Sequence, residues 1–291
     1  MKQIADCRNN LCFIDGFGFI PKDTVYYRDR YLHPNDEGFG LYTDALIKEL
    51  SKERKKVKSM NLEKTKLLLN KKINEKDFDS YGVLVYVDGE KEFLHSENVN
   101  ADTYFDIASM GKVLVTSTLI LKAADEKALS LDDTLQKFFD NAPGEKKNIT
   151  VEQLLTHTSG IVRYEIPQTA ADAGSGAVAE FILNTPLSFE PGKSQIYSCN
   201  GMILLGYILE KIYEKSLEGI FDEKIKQPLG YTRSKFNIAI DEPNTAICYR
   251  TENLDGLEHP WDDENIRVLK TSAGSGGQFF TLGDIEKFAD A

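Results

Sequence analysis

Apolar residues follow two different periods along this chain. In Tyr81–Glu97, YGVLVYVDGEKEFLHSE, two short apolar runs flank Asp88-Gly89, which predicts two strands joined by a tight turn. In Met110–Glu126, and again in NGMILLGYILEKIYEKSL from Asn200, apolar residues recur at helical spacing. This mixture predicts an α/β fold of the α+β sandwich kind, in which helices flank an antiparallel sheet.

Two further stretches predict short elements. ITVEQLLTHTSGI predicts a short helix that ends in a turn. GSGGQFFTLGDIEKFADA predicts a glycine-rich turn, a strand and a helix that begins near Leu282.

The pattern divides the chain into three regions. Residues 1–50 read as strand, loop and amphipathic helix. Residues 51–78 are dense in Lys and Glu with a thin apolar stripe, so we interpret them as a charged helical linker. Residues 79–291 contain the remaining predicted elements and form the main domain.

Composition and charge limit the classes of function. The net charge of −11 argues against nucleic-acid binding, because surfaces that follow phosphates are basic. The most apolar stretch, Val113–Leu121, is interrupted by hydroxyl residues and too short to span a bilayer. The first twenty residues lack the apolar core of a signal peptide, so we expect a cytoplasmic protein. No oligomeric state is indicated.

The four cysteines do not predict a metal site or a disulfide framework. Their spacing is not that of zinc ligands, and their density is too low for a disulfide scaffold. We therefore expect reduced thiols and no bound metal.

The stretch YFDIASMGKVLVTSTLI places Ser109 three residues before Lys112. A serine hydroxyl is a poor nucleophile until a base removes its proton. If Ser109 begins a helix, Lys112 lies one turn on and on the same face, and a buried amine gives up its proton more readily. S-x-x-K is a known catalytic motif, and the Ser109 backbone N–H could donate to a developing oxyanion. From the spacing alone, Ser109 could equally be a helix N-cap.

Four blocks in order closely resemble the serine β-lactamase family, in the branch of class C β-lactamases, D-alanyl-D-alanine carboxypeptidases and related esterases. They begin FDIASMGK, ITVEQLLTHTSGI, YSCNGMILLG and SGGQFFTLGD, and the resemblance runs from roughly Tyr81 to Ala291. It implies that Ser109 is the acylated nucleophile and Lys112 its proton-relay partner. The implied substrate is a small molecule, peptide or ester, and no cofactor is needed.

The same resemblance implies roles for residues further along the chain. Tyr197 matches the tyrosine proposed as general base in the family. The downstream LLG places Cys199 where the family usually has asparagine; losing that amide favours an esterase or peptidase over efficient β-lactam hydrolysis. Ser198-Cys199-Asn200 can also be read as a degenerate S-D-N triplet of class A enzymes, but the helix register argues against it. His157 is implied to be structural, and Gly276 and Gly277 fit the family's glycine pair before the helix near Leu282, where the backbone requires glycine. Cys199 and Gly277 are implied as substrate-binding residues.

Two features predict that the sequence is part of a longer polypeptide. The K-T-G or H-x-G strand of the family is absent after Tyr197. Near the other end, IDGFGFIP and RDRYLHPNDEGFGLYTDALIKEL resemble the last block of SGNH (GDSL-type) esterases. There His33 matches the catalytic histidine, while Asp29 fits the aspartate position imperfectly. Residues 1–50 are therefore predicted to be an SGNH-like remnant.

Three functions remain open at this point. The first is a serine hydrolase that acts on amides or esters through an acyl-enzyme on Ser109. The second is a catalytically inactive fragment or binding module. The third is an accessory half of an SGNH-type esterase.

Overall fold

The computed structural model describes residues 61–87, 90–239, 242–246, 264–269 and 273–291. The elements predicted within residues 1–50 and the Asp88-Gly89 turn lie outside the described residues. The chain divides into two compact units. One is Met1–Asp77 with Val83–Leu94, and the other is Phe78–Gly82 with His95–Ala291.

Charged and strand-forming residues dominate the described part of the first unit. An α-helix spans Glu63–Asn74, within the segment interpreted as a charged helical linker. Lys72 Nζ lies 2.9 Å from Glu75 and 2.7 Å from Asp77. Such exposed ion pairs contribute little to stability. Strand β1 (Gly82–Val87) pairs with β2 (Glu90–His95) in a two-stranded sheet, at the positions that the alternating pattern predicts.

The second unit combines many short helices with three short strands. Its elements are β3 Phe105–Asp106, a 3₁₀ turn Ala108–Met110, a π-helix Lys112–Ser117, α-helices Thr118–Asp125 and Leu135–Phe138, a 3₁₀ helix Gly144–Asn148, α-helices Val151–Leu155, Gln168–Asp172, Ser175–Asn184, Cys199–Tyr213 and Leu217–Phe221, a π-helix Asp222–Lys226, β4 Lys235–Phe236, α-helix Glu264–Leu269, β5 Gln278–Phe280 and α-helix Leu282–Ala289.

The helix Cys199–Tyr213, called the central helix below, forms the middle of the core. Its residues from Cys199 to Gly206 are all buried, as expected of a helix that is apolar on every face. Ser198 caps its start, because the Ser198 Oγ accepts the Gly201 N–H at 3.0 Å. It packs against the helices Thr118–Asp125, Val151–Leu155, Ser175–Asn184 and Leu217–Phe221 and against the π-helix Lys112–Ser117.

The three-stranded sheet is antiparallel, as predicted, with β5 between β3 and β4. Phe280 pairs with Phe105 of β3, and Phe279 pairs with Lys235 of β4. Both phenylalanines are buried although neighbouring strand residues point to opposite faces. The sheet is therefore covered on both sides at β5, directly beside the segment that contains Ser109.

The helix predicted from Met110 to Glu126 is present but is not one regular α-helix. It begins as a 3₁₀ turn, continues as a π-helix and becomes α-helical only from Thr118. Two threonine hydroxyls donate hydrogen bonds to backbone carbonyls in this region: Thr118 Oγ1 donates to Val113 O at 2.8 Å, and Thr116 Oγ1 donates to Gly274 O at 2.7 Å. Such side-chain hydrogen bonds compete with regular helix geometry.

A buried carboxylate joins the last helix to the start of β4. Asp284 is 1% exposed and accepts the backbone N–H groups of residues 232–234 at 2.8–3.0 Å, together with the Ser234 hydroxyl. Burial by itself raises the pKa of the Asp284 carboxyl, but the N–H donors, that of Ser234 foremost, bring the pKa below its ordinary value.

Replacing Asp284 by asparagine is expected to lower the free energy of unfolding by about 1–3 kcal/mol, because buried N–H groups lose their charged acceptor. Since the folded-state pKa lies below the unfolded one, this contribution is present above about pH 4. It is lost as the pH falls through the folded-state pKa. Urea unfolding at pH 7 and at lower pH measures both effects. Asp290→Asn, at the exposed C-cap of the same helix, is the control and should change little.

Candidate active site

Ser109 lies on an exposed 3₁₀ turn between β3 and the π-helix. The preceding residue, Ala108, has φ of +44°, and its N–H is held by Asp106 Oδ1 at 2.8 Å. A positive φ is strained for alanine, so the turn needs such support. The N-cap positions here are occupied by Ile107 and Gly111. The alternative that Ser109 is a helix N-cap is therefore wrong.

Lys112 reaches Ser109 from inside the protein. Lys112 is only 4% exposed, and its Nζ donates to Ser109 Oγ at 3.0 Å. The same amine donates to the Ser275 backbone carbonyl at 2.7 Å. Two fixed acceptors therefore orient the amine toward the hydroxyl, and burial keeps water away from it.

Tyr197 approaches the same hydroxyl from the solvent side. Its Oη donates to Ser109 Oγ at 2.8 Å, although the residue is 53% exposed. Lys112 Nζ lies 5.1 Å from the centroid of the Tyr197 ring, within the range of a cation–π contact. The three residues predicted from the sequence thus meet around one oxygen atom. A proton leaving Ser109 has two possible acceptors within hydrogen-bond distance, once either is deprotonated.

A glycine-rich turn supplies the carbonyl that holds Lys112. A Cβ atom on Gly274 would lie 2.0 Å from the Met202 carbonyl oxygen of the central helix, so only glycine fits there. Gly277 has φ of +89°, a conformation that favours glycine, and its carbonyl accepts the Asn237 N–H at 3.0 Å. Both residues shape the backbone beside the site.

The sequence that forms this site matches a known protein family. The profile of the family described as Beta-lactamase matches residues 44–291. The chain belongs to the Beta-lactamase family. The family predicted from the sequence is confirmed, and the match begins earlier in the chain than the resemblance placed at about Tyr81.

Relatives within the Beta-lactamase family agree with this assignment. A protein of Escherichia coli (strain K12) named "Putative D-alanyl-D-alanine carboxypeptidase" is 28% identical over 237 residues, which cover 71% of this chain and 54% of the relative. A relative from Escherichia coli O157:H7 with the same name is 29% identical over 235 residues, with the same coverage. The chain therefore spans about half the length of these curated relatives.

Solved structures confirm the β-lactamase-like fold. A class C β-lactamase has a TM-score of 0.66 at 19% identity, covering 78% of this chain and 63% of its own. The octameric penicillin-binding protein homologue from Pyrococcus abyssi has a TM-score of 0.65 at 23% identity, covering 79% of this chain and 56% of its own. In the part of the chain that the structure describes, no helix is both long and apolar enough to cross a membrane.

Cys199 occupies the first position of the central helix and is 6% exposed. The next residue, Asn200, is fully buried, and its Nδ2 donates to the Tyr164 carbonyl at 3.2 Å. The Asn200 amide thus holds the loop at Tyr164, which does not favour the alternative S-D-N triplet. The placement of Cys199 at the asparagine position of the Beta-lactamase family stays a prediction.

His157 and Ser275 are the neighbours of the site that sequence reasoning did not place there. The His157 ring lies 4.8 Å from the Tyr197 ring, centroid to centroid, at an interplanar angle of 50°. Burial lowers the pKa of His157, and the charge of Lys112 lowers it further. HTSG suggested only a structural turn, and Ser275 acts through its carbonyl, which no side-chain pattern reveals.

Two further predicted site residues belong to the first 50 residues of the chain. Asp29 and His33, and with them the SGNH-like resemblance of residues 1–50, lie outside the described residues and stay a prediction. Across the described ranges, no group of three or more His, Cys, Asp or Glu side chains is placed to hold a metal ion.

Proposed function

We propose that this chain carries the acylation site of a serine hydrolase, in which Ser109 takes an acyl group from an amide or ester and passes it to water. The observation that carries the proposal is the convergence of Lys112 Nζ and Tyr197 Oη on a single exposed hydroxyl, at 3.0 and 2.8 Å. The activity is that of the Beta-lactamase family, whose members are serine hydrolases.

The proton transfers can be followed atom by atom. Ser109 Oγ attacks the carbonyl carbon, and its proton passes to the Tyr197 oxygen or the Lys112 amine, whichever is deprotonated. When the tetrahedral intermediate collapses, the bond to the leaving nitrogen or oxygen breaks and that atom takes the proton. Water then attacks the acyl-enzyme, gives its proton to the same group, and the proton returns to Ser109 Oγ.

The environment of Lys112 suits a relay. Its Nζ is buried and is oriented by the Ser275 carbonyl at 2.7 Å, so it contacts Ser109 Oγ at 3.0 Å in a fixed direction. It also lies 5.1 Å from the centroid of the Tyr197 ring. The amine, the hydroxyl and the phenol are therefore close enough to exchange a proton through Ser109 Oγ.

The proposed substrate is a peptide or ester. The curated Escherichia coli relatives carry the name "Putative D-alanyl-D-alanine carboxypeptidase", which points to a peptide substrate. Cys199 cannot offer the amide hydrogen bonds of asparagine to the acyl group. We therefore propose that a β-lactam acylates Ser109 but that the acyl-enzyme hydrolyses slowly.

Covalent labelling tests the proposal. The 291-residue chain is incubated separately with a fluorescent penicillin and with a fluorophosphonate, and the labelled peptide is identified by mass spectrometry. One label per chain on Ser109 is expected from at least one probe. A label on another residue, or none from either probe, would contradict the proposed acylation site; heat-denatured protein serves as the control.

A further inference from the structure

We infer that His157 is a positioning residue for Tyr197, which its imidazole and backbone hold against Ser109. The expected effect of His157 on the acylation rate rests on the proposed function. Its expected effect on the position of Tyr197 does not. It assigns to the HTSG segment a role in placing the proposed base.

The contacts of His157 bracket Tyr197 on both sides. The His157 carbonyl accepts the Ile196 N–H at 3.0 Å, and the His157 Nδ1 accepts the Ser198 N–H at 3.3 Å. Between these two bonds the imidazole packs against the Tyr197 ring at 4.8 Å. Since Tyr197 is half exposed, this contact is a substantial part of what fixes the ring.

The segment containing His157 is itself firmly anchored. The short helix Val151–Leu155 starts with a capping box in which Thr150 and Gln153 satisfy each other's backbone N–H groups. Two more bonds join residues 156–158 to the loop before Tyr197: Gln195 Nε2 donates to Thr156 O at 2.7 Å, and the Gly192 N–H donates to Thr158 O at 2.8 Å. Movement of the HTSG turn would therefore move Tyr197 with it.

The backbone of His157 adopts a conformation that has a cost. Its φ is +59°, in the left-handed region that a side chain with a Cβ rarely adopts. His, Asn and Asp are the non-glycine residues that occur there most often. This φ places the ring beneath Tyr197, so the strain coincides with the contact that serves the site.

The hydrogen bond from Ser198 requires neutral His157 with its proton on Nε2, because only then can Nδ1 accept. An imidazolium carries a proton on Nδ1 and cannot accept the Ser198 N–H. Burial and the nearby Lys112 charge both lower the His157 pKa, so the ring stays an acceptor at neutral pH. Among the described residues, the charged and titratable groups beside the ring are Lys112 and Tyr197.

Two substitutions separate positioning from a merely structural role. His157→Gly relieves the left-handed φ but removes both the ring and the Nδ1 acceptor. His157→Asn tolerates the same φ and offers Oδ1 as an acceptor for Ser198. If His157 only shaped the turn, glycine would be the better replacement. If His157 positions Tyr197, asparagine would be the better replacement.

The test measures the rate of acylation by the fluorescent penicillin, the thermal midpoint and the crystal structure of each variant. His157→Gly is expected to be acylated about 10- to 100-fold more slowly than wild type, because Tyr197 is misplaced. Tyr197→Phe gives the full loss for comparison, and His157→Asn, which keeps an acceptor for Ser198 but lacks the ring, should recover part of the rate. Both His157 variants should keep the wild-type midpoint within a few degrees.

The crystal structures decide the inference even if the wild type takes no label, an outcome that would count against the proposed function alone. The inference predicts that Tyr197 Oη leaves hydrogen-bond distance of Ser109 Oγ in His157→Gly and remains within it in His157→Asn. An unmoved Tyr197 in the glycine variant, or a glycine variant acylated at the wild-type rate, would overturn it.

Discussion

Ser109→Ala is expected to abolish the covalent adduct completely while leaving the fold intact. The hydroxyl oxygen is the only atom of Ser109 that can form the acyl bond, and Lys112 keeps a second acceptor in the Ser275 carbonyl when it is lost. Because Ser109 is exposed, we expect the free energy of unfolding to change by no more than about 0.5 kcal/mol. Intact-protein mass spectrometry after incubation with a fluorescent penicillin checks the first expectation, and urea unfolding checks the second.

Ser130→Ala is the matched control, since Ser130 is also an exposed serine but lies in the turn after the helix Thr118–Asp125. It should be labelled like the wild type. Ser109→Ala also separates a hydrolase from a binding module: a module that only binds would hold the penicillin reversibly and equally well with or without the Ser109 hydroxyl. An adduct of unchanged yield on Ser109→Ala would show that the nucleophile is elsewhere.

Lys112→Met is expected to slow acylation of Ser109 by about 10²- to 10⁴-fold, the usual contribution of a positioned acid–base group. Methionine keeps the length of the buried chain but removes the amine that contacts both Ser109 and Tyr197. Replacing a buried charge by an apolar group of similar shape is often neutral for stability. The substitution should therefore lower the acylation rate and leave the thermal midpoint unchanged. The rate is measured by quenching the labelling reaction at successive times.

A second buried lysine provides the control. Lys146 is 7% exposed, donates its Nζ to the Thr185 backbone carbonyl, and has its pKa lowered by burial. Lys146→Met thus removes a buried amine of the same kind without touching Ser109. We expect its acylation rate to equal that of the wild type. Equal losses in the two variants would mean that burial of a lysine, and not its place beside Ser109, explains the effect.

The sequence predicted the local part of the site because the geometry there is local. Residues three apart in a helical turn face the same side, so Ser109 and Lys112 could be paired from their spacing. Tyr197 lies far from Ser109 along the chain, so no spacing rule could pair these two residues. It was found only through the order of blocks that resembles the family, and the hydrogen bond to Ser109 agrees with that assignment.

Contacts that depend on tertiary packing could not be predicted. The Ser275 carbonyl reaches Lys112 only because the turn at Gly274 packs against the central helix, and carbonyl groups leave no trace in a side-chain pattern. The left-handed backbone of His157 is likewise invisible in HTSG. Strands as short as β4, with two residues, show no alternation to detect.

The crowding at Gly274 has a consequence for engineering. Exchanging glycine for alanine is a common way to stiffen an unfolded chain and so to raise stability. At this position an added methyl group would meet the Met202 carbonyl, and relief would have to come from shifting the loop that presents Ser275 to Lys112. Mutant libraries designed for higher stability or a new substrate range should leave residue 274 unchanged, because the same backbone segment determines both the packing and the position of the Ser275 carbonyl.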